Sequence, residues 1–203
     1  MLTGLILDGG PSRRMDGQLK ALLPFGGETI LQRQVNEMRK MCAEVIVVTS
    51  DPMPFLRLLD AEVRIITDYY EGKGPLGGMH AGFSLARHPH VWVIGSHMPF
   101  PSAEAAALLL ERMPHRCDAT VPLLKGGVYP LHGVYDKSCA EEIGALIQRG
   151  ERLLSALPKE LLWFEVVEAD FLERAIDLHF ITAIHTREDY EQALELAKDM
   201  GAG

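Results

Sequence analysis

The chain has 203 residues, 47% of them hydrophobic and 24% charged, with a formal net charge of −8 at pH 7. Such a length supports one globular domain with a sizeable core, and the excess of acid argues against nucleic acid as a partner while leaving room for a locally basic loop that takes a small anion. Three scattered cysteines without metal spacing, and apolar runs far short of a bilayer's width, point to a reduced, cytoplasmic protein without a membrane partner.

Leu5-Ile6-Leu7 reads as a strand that ends abruptly in Asp8-Gly9-Gly10. Glycines there let backbone N–H groups approach a ligand with no Cβ in the way, and successive N–H groups in such a turn form an anion-binding concavity. Arg14 and Lys20 follow, and a lysine at that distance can fold back over phosphate oxygens. The spacing is neither a P-loop nor a dinucleotide fingerprint. A glycine turn followed by a solvated basic loop explains the stretch equally well.

Further along, Thr29-Ile30-Leu31-Gln32 predicts a capping box, and Leu31, Val35, Met38 and Cys42 recur as one helical face. The β-branched run 44–49 predicts a strand buried on both faces. A short helix at 54–59, a strand at 63–66, a helix at 77–87, a strand at 90–94 and a helix at 102–113 continue the rhythm. A strand at 119–123 turns at Lys125-Gly126-Gly127 and returns over 128–135. A helix at 139–148, strands at 162–167 and 180–184, and a last helix capped by Thr186 complete the chain, with Tyr190, Ala193, Leu194 and Ala197 inward. Alternating β and α segments predict a mostly parallel sheet with helices on both faces. With no repeat or linker, residues 1–203 form a single domain.

Several blocks together resemble the nucleotidyltransferase-like superfamily, and within it the molybdenum cofactor guanylyltransferases. The first is Leu7-Asp8-Gly9-Gly10 with Arg14-Met15 and Lys20. Leu22-Leu23-Pro24-Phe25-Gly26-Gly27-Glu28-Thr29 follows, then Asp68 with 74–82. Met98-Pro99-Phe100, the block 129–135 and His185-Thr186-Arg187-Glu188-Asp189 extend the match across almost the whole chain. The resemblance implies a three-layer α/β/α, Rossmann-like nucleotidyltransferase fold. It also implies transfer of GMP from GTP to molybdopterin, with Mg²⁺ or Mn²⁺ and release of pyrophosphate. Leu7, Gly9 and Gly10 would wrap the nucleotide phosphates and Lys20 would contact them. Arg14 would bind phosphate or brace the loop. Ser50 and Asp68 would line the nucleoside side, where a carboxylate can accept both N1–H and N2–H of guanine, and Gly77 and Gly78 would begin a helix whose N-terminus faces the nucleotide and favours anions, with tight helix–sheet packing as the plainer reading. Molybdoenzymes or cofactor-insertion proteins would be transient partners.

The chain departs from the family's pattern where metal is expected. His97 replaces the aspartate that precedes Met-Pro-Phe, Leu19 replaces the acid before the lysine, and Ala183 and His185 replace two late asparagines. Mg²⁺ wants oxygen, whereas imidazole suits softer ions. Asp8, where the family usually has alanine, ends the first strand and would neighbour His97 after the fourth. The missing carboxylate is therefore expected to have moved to Asp8, with Asp8 and His97 as metal ligands. A turn-capping Asp8 is the plainer alternative. The other readings are a sister enzyme using CTP, another transferase with a phosphorylated acceptor, and a nucleotide-binding homologue with impaired catalysis.

Overall fold

The computed structural model describes residues 1–9, 14–68, 70, 72 and 74–201. In chain order the elements begin with β1 (Leu2–Asp8), the hairpin β2 (Arg14–Met15) and β3 (Gln18–Leu19), and the hairpin β4 (Pro24–Phe25) and β5 (Glu28–Thr29). There follow α1 (Ile30–Met38), β6 (Cys42–Thr49), α2 (Met53–Leu56), β7 (Arg64–Ile66), α3 (Gly74–Leu85), β8 (His90–Gly95) and α4 (Ala103–Arg112). The last part holds β9 (Ala119–Leu124), β10 (Gly127–Val128), β11 (Gly133–Asp136), α5 (Ala140–Gln148), β12 (Trp163–Val167), α6 (Glu168–Glu173) and α7 (Arg187–Gly201).

Eight strands make the central sheet, ordered β10-β9-β11-β8-β1-β6-β7, with β12 paired to β9. β8, β1, β6 and β7 run parallel, and β11 turns the sheet antiparallel. Side chains alternate across it, as a pleat requires. Leu5, Leu7, Ile46 and Val48 meet Leu76, Met79 and Ile143 of α3 and α5 on one face. Ile6, Val47 and Trp92 meet Leu31, Val35 and Leu108 of α1 and α4 on the other. These are the three layers expected from the β-α rhythm. No helix among the described residues is long and apolar enough to cross a membrane.

The local signals hold where side chain and backbone agree. Thr29 and Gln32 form the capping box of α1. Thr186 accepts the Asp189 N–H at the start of α7, and Tyr190 and Ala193 are buried. Elsewhere tertiary contacts overrule them. Residues 180–184 form no strand: Asp177 accepts the His179 N–H and starts a short 3₁₀ turn, Leu178–Ile181, that buries Phe180 against Phe171 and His132. Cys42 opens β6 instead of extending the α1 face, because α1 ends at Met38. The return strand at 128–135 is broken into β10 and β11, with His132 at φ 69° between them. Helix α3 begins at Gly74, ahead of the expected Gly77, and the 54–59 helix shortens to α2.

Candidate active site

Because β1 lies between β6 and β8 and all three are parallel, their carboxyl ends meet at one edge of the sheet. Ligands bind at this edge in open α/β sheets. Asp8 closes β1 there and is fully buried. Its carboxylate accepts hydrogen bonds from the Thr49 hydroxyl at 3.1 Å and the Ser96 hydroxyl at 2.8 Å. Asp8 therefore ties the three strand ends together. Thr49 and Ser96 escaped the sequence reading because nothing local marks a hydroxyl that serves a strand 41 or 88 residues away. The Leu7 side chain packs beneath the mouth, and its carbonyl accepts the Ser96 N–H at 2.9 Å. Gly9 follows, exposed, with nothing within 4 Å of where a Cβ would point. Gly10 lies outside the described residues.

The segment after the mouth is a tight hairpin. Asp16 and Gly17 take φ of 50° and 81°, the left-handed pair that a two-residue turn between twisted strands needs. The Asp-Gly dipeptide was the available signal for it. Arg14 donates to the Gly17 carbonyl at 2.7 Å and stands 3.6 Å from the Asp51 carboxylate, so the fold displays it bracing the loop. Arg187, opening α7, pairs with Asp16 at 3.4 Å and holds the hairpin tip from the other side.

Lys20 begins a short 3₁₀ turn and is only 2% exposed. Burial lowers its pKa, and the Asp189 carboxylate partly opposes that. Among the described residues no carboxylate lies within ion-pair distance of its ammonium. A partly desolvated charge is costly unless paired, so this one is suited to a ligand anion.

Lys20 also acts electrostatically on His97, just past β8. Burial, then His185 and Lys20, pull the His97 pKa down to about 4, leaving the imidazole neutral at pH 7. Its ring centre is 5.3 Å from that of His185. The turn carrying His97 is fixed from below. The Gln34 amide of α1 donates to the carbonyls of Gly95 and Met98, both at 2.8 Å. Position 95 is glycine because a Cβ there would overlap the His97 ring.

On the far side, Asp68 follows β7, half-buried, with one carboxylate oxygen held by the Tyr70 N–H at 2.7 Å. Burial raises its pKa. A Cβ on Gly77, in the opening turns of α3, would overlap that carboxylate. Gly77 thus lets Asp68 lie against the helix start, and a Cβ on Gly78 would stand 3.1 Å from Leu7 Cδ2. Ser50 is exposed at the end of β6. Of the other histidines, His132 is fully buried, accepts the Ser102 N–H at 3.0 Å, and has its pKa pushed by burial to about 3. It is a structural residue.

Residues 4–161 match the profile of the MobA-like NTP transferase domain. The chain belongs to that family. Among curated relatives, a probable molybdenum cofactor guanylyltransferase of Methanosarcina mazei is 32% identical over 97% of this chain and 92% of its own. One of Carboxydothermus hydrogenoformans is 32% identical over 96% of both. Among solved structures, molybdopterin-guanine dinucleotide biosynthesis protein A of Archaeoglobus fulgidus superposes with a TM-score of 0.81. It covers 98% of this chain and 100% of its own at 23% identity, a likeness of fold. A Mycobacterium tuberculosis protein solved with manganese has a TM-score of 0.70 at 16% identity, covering 96% of this chain and 98% of its own. This MobA-like chain is a nucleotidyltransferase.

Proposed function

We propose that the chain transfers GMP from GTP to molybdopterin, forming molybdopterin guanine dinucleotide and releasing pyrophosphate. The observation that carries this is Lys20, a buried side chain whose ammonium has no ion-pair partner among the described residues, in a chain whose relatives are named for this reaction.

As the acceptor's terminal phosphate attacks the α-phosphate, two anions crowd one centre. Positioning and charge neutralisation are then most of what a protein can add. The loop beginning at Gly9 would present backbone N–H groups to the triphosphate, and Lys20 would neutralise it from beneath. Asp68 would accept from the guanine edge, a pairing that adenine cannot offer. Gln34 would keep His97 still during transfer by holding the Gly95–Met98 turn.

A divalent ion would spread the negative charge of the phosphates. Among the described residues no three His, Cys, Asp or Glu side chains are grouped to hold one. Asp8 offers a carboxylate, but two hydroxyls already engage it, while His97 and His185 offer nitrogen. Those donors fit Mn²⁺ and its transition-metal neighbours better than Mg²⁺. Asp8→Ala tests the carboxylate's share: if Asp8 helps to hold the ion, the variant binds GTP no better with Mn²⁺ than without it. Metal-dependent binding equal to or better than that of the parent confines Asp8 to tying strand ends.

The function itself is tested by thermal-shift titration with GTP, CTP and ATP, each with Mg²⁺ or Mn²⁺, followed by pyrophosphate release with molybdopterin. A ligand that binds only the folded state at a hundred times its Kd stabilises it by about 2.7 kcal/mol. For a domain of this size that is a rise of about 5–10 °C. GTP should produce it and CTP and ATP should not. A CTP response equal to that of GTP would overturn the assignment of the base.

A further inference from the structure

We propose that His97 and His185 form a two-imidazole metal site, selective for a first-row transition ion over Mg²⁺, with its remaining positions open to phosphate oxygens. The inference rests on the reading of this mouth as a nucleotide site for its purpose, and its test does not use nucleotide.

The ring centres are 5.3 Å apart, with planes inclined by 41°. With metal–nitrogen bonds of about 2.1 Å, two imidazoles sharing one ion at a near-tetrahedral angle hold their ring centres about 5 Å apart. Neither ring makes a hydrogen bond or ion pair among the described residues, so both retain nitrogen lone pairs for a ligand.

The two segments are also registered against each other by backbone. The Ile184 N–H donates to the His97 carbonyl at 2.8 Å. One residue on, the His185 N–H is held by the Asp189 carboxylate at 2.8 Å, which also takes the Thr186 N–H at 2.8 Å. On the other side, Gln34 clamps the turn that carries His97, and Gly95 leaves room for its ring. A pre-set pair of this kind loses little freedom on binding an ion.

Charge and donor type decide which ion. Lys20 lies close enough to act on His97, and its ammonium opposes a bare cation. A hard ion bound mainly by charge is thereby disfavoured, whereas an ion bound through nitrogen and neutralised by incoming phosphates is tolerated. The set of two imidazoles, with Asp8 engaged by Thr49 and Ser96, should therefore follow the rising order Mn²⁺, Co²⁺, Ni²⁺. An oxygen-lined site would favour Mg²⁺ and Mn²⁺ instead.

The experiment is equilibrium dialysis of the tag-free full chain against MgCl₂, MnCl₂, CoCl₂ and NiCl₂ in the absence of nucleotide, with the visible absorption of bound Co²⁺ as a second readout. One Co²⁺ per chain should bind at least about 10-fold more tightly than Mg²⁺. His185→Ala should lose at least about 10-fold of Co²⁺ affinity and the visible band, while His88→Ala should change neither. His185 is exposed, so its variant keeps the fold even where His97→Ala does not. Equal affinity for Co²⁺ and Mg²⁺, or undiminished Co²⁺ binding in His185→Ala, would overturn the proposal. Selective GTP binding would then still support the transferase reading, and loss of GTP binding would leave a positive metal result standing.

Discussion

Lys20→Met should lower kcat/KM for nucleotidyl transfer by about 10²–10³-fold, the usual cost of removing one preorganised group that stabilises transition-state charge. Methionine fills much of the same volume of this 2% exposed residue, and it removes a charge that is partly desolvated and lacks a paired anion among the described residues. The melting temperature should therefore hold or rise while the rate collapses. The pH dependence separates this from a packing effect. Burial lowers the Lys20 pKa below 10.5, with Asp189 opposing. Activity should fall as pH rises through that lowered value, because the ammonium is lost. The stability cost of the buried charge is fully present below the folded pKa and is relieved as pH climbs from there towards 10.5. Thermal melts of parent and variant across that window should converge at the alkaline end. A variant that keeps the parent's rate would remove Lys20 from the phosphate path.

Glu44→Ala should destabilise the fold by about 3 kcal/mol, the scale for breaking a buried ion pair, and lower the melting temperature by about 6–12 °C. Glu44 sits at the amino end of the parallel strands, opposite the mouth, because it pairs in register with Thr3. Its side chain is 4% exposed and is met by the Arg64 guanidinium. The Thr3 hydroxyl donates to it at 2.9 Å and the Arg87 N–H at 3.0 Å. Burial pushes the carboxyl up, but the Arg87 N–H, Arg64 and Thr3 together outweigh it and hold the group below the ordinary glutamate range. Its contribution is present above the unfolded-state pKa and is lost as pH falls through the lower folded value. The parent should thus lose stability in acid more steeply than Glu44→Ala. The folded fraction of the variant should keep its KM for nucleotide, since no part of this network reaches the site. Equal melting temperatures at pH 7 would show that the network stabilises nothing.

The legible parts of this protein are those in which one stretch of chain decides its own state. Val45–Val48 reads as a doubly buried strand because four consecutive apolar residues, three of them Val, can be satisfied only between two helical layers. Thr29 and Gln32 cap α1 because both partners lie three residues apart. The Gly9 mouth and Lys20 were legible as a motif, since close approach of backbone and a returning cation are local properties. Illegible were the groups whose partners come from elsewhere: the hydroxyls of Thr49 and Ser96 on Asp8, the Gln34 clamp, and the Asp51 and Arg187 braces of the hairpin. Phe180 misled because an apolar run looks the same whether it pairs with a strand or fills a gap beside His132.

By itself, then, the amino-acid order determined the alternation of strands and helices, the glycine pair that ends the first apolar run and the imidazole at position 97, because hydrophobic period, backbone freedom and side-chain chemistry are written residue by residue. Only the tertiary structure decided that Asp8 is held by two neighbouring strand ends, that Lys20 is buried without an ion pair among the described residues, and that His97 faces His185 across 5.3 Å. Those facts depend on which strands lie side by side and on how α7 returns to them, and distances of that kind arise only when the sheet closes around its core.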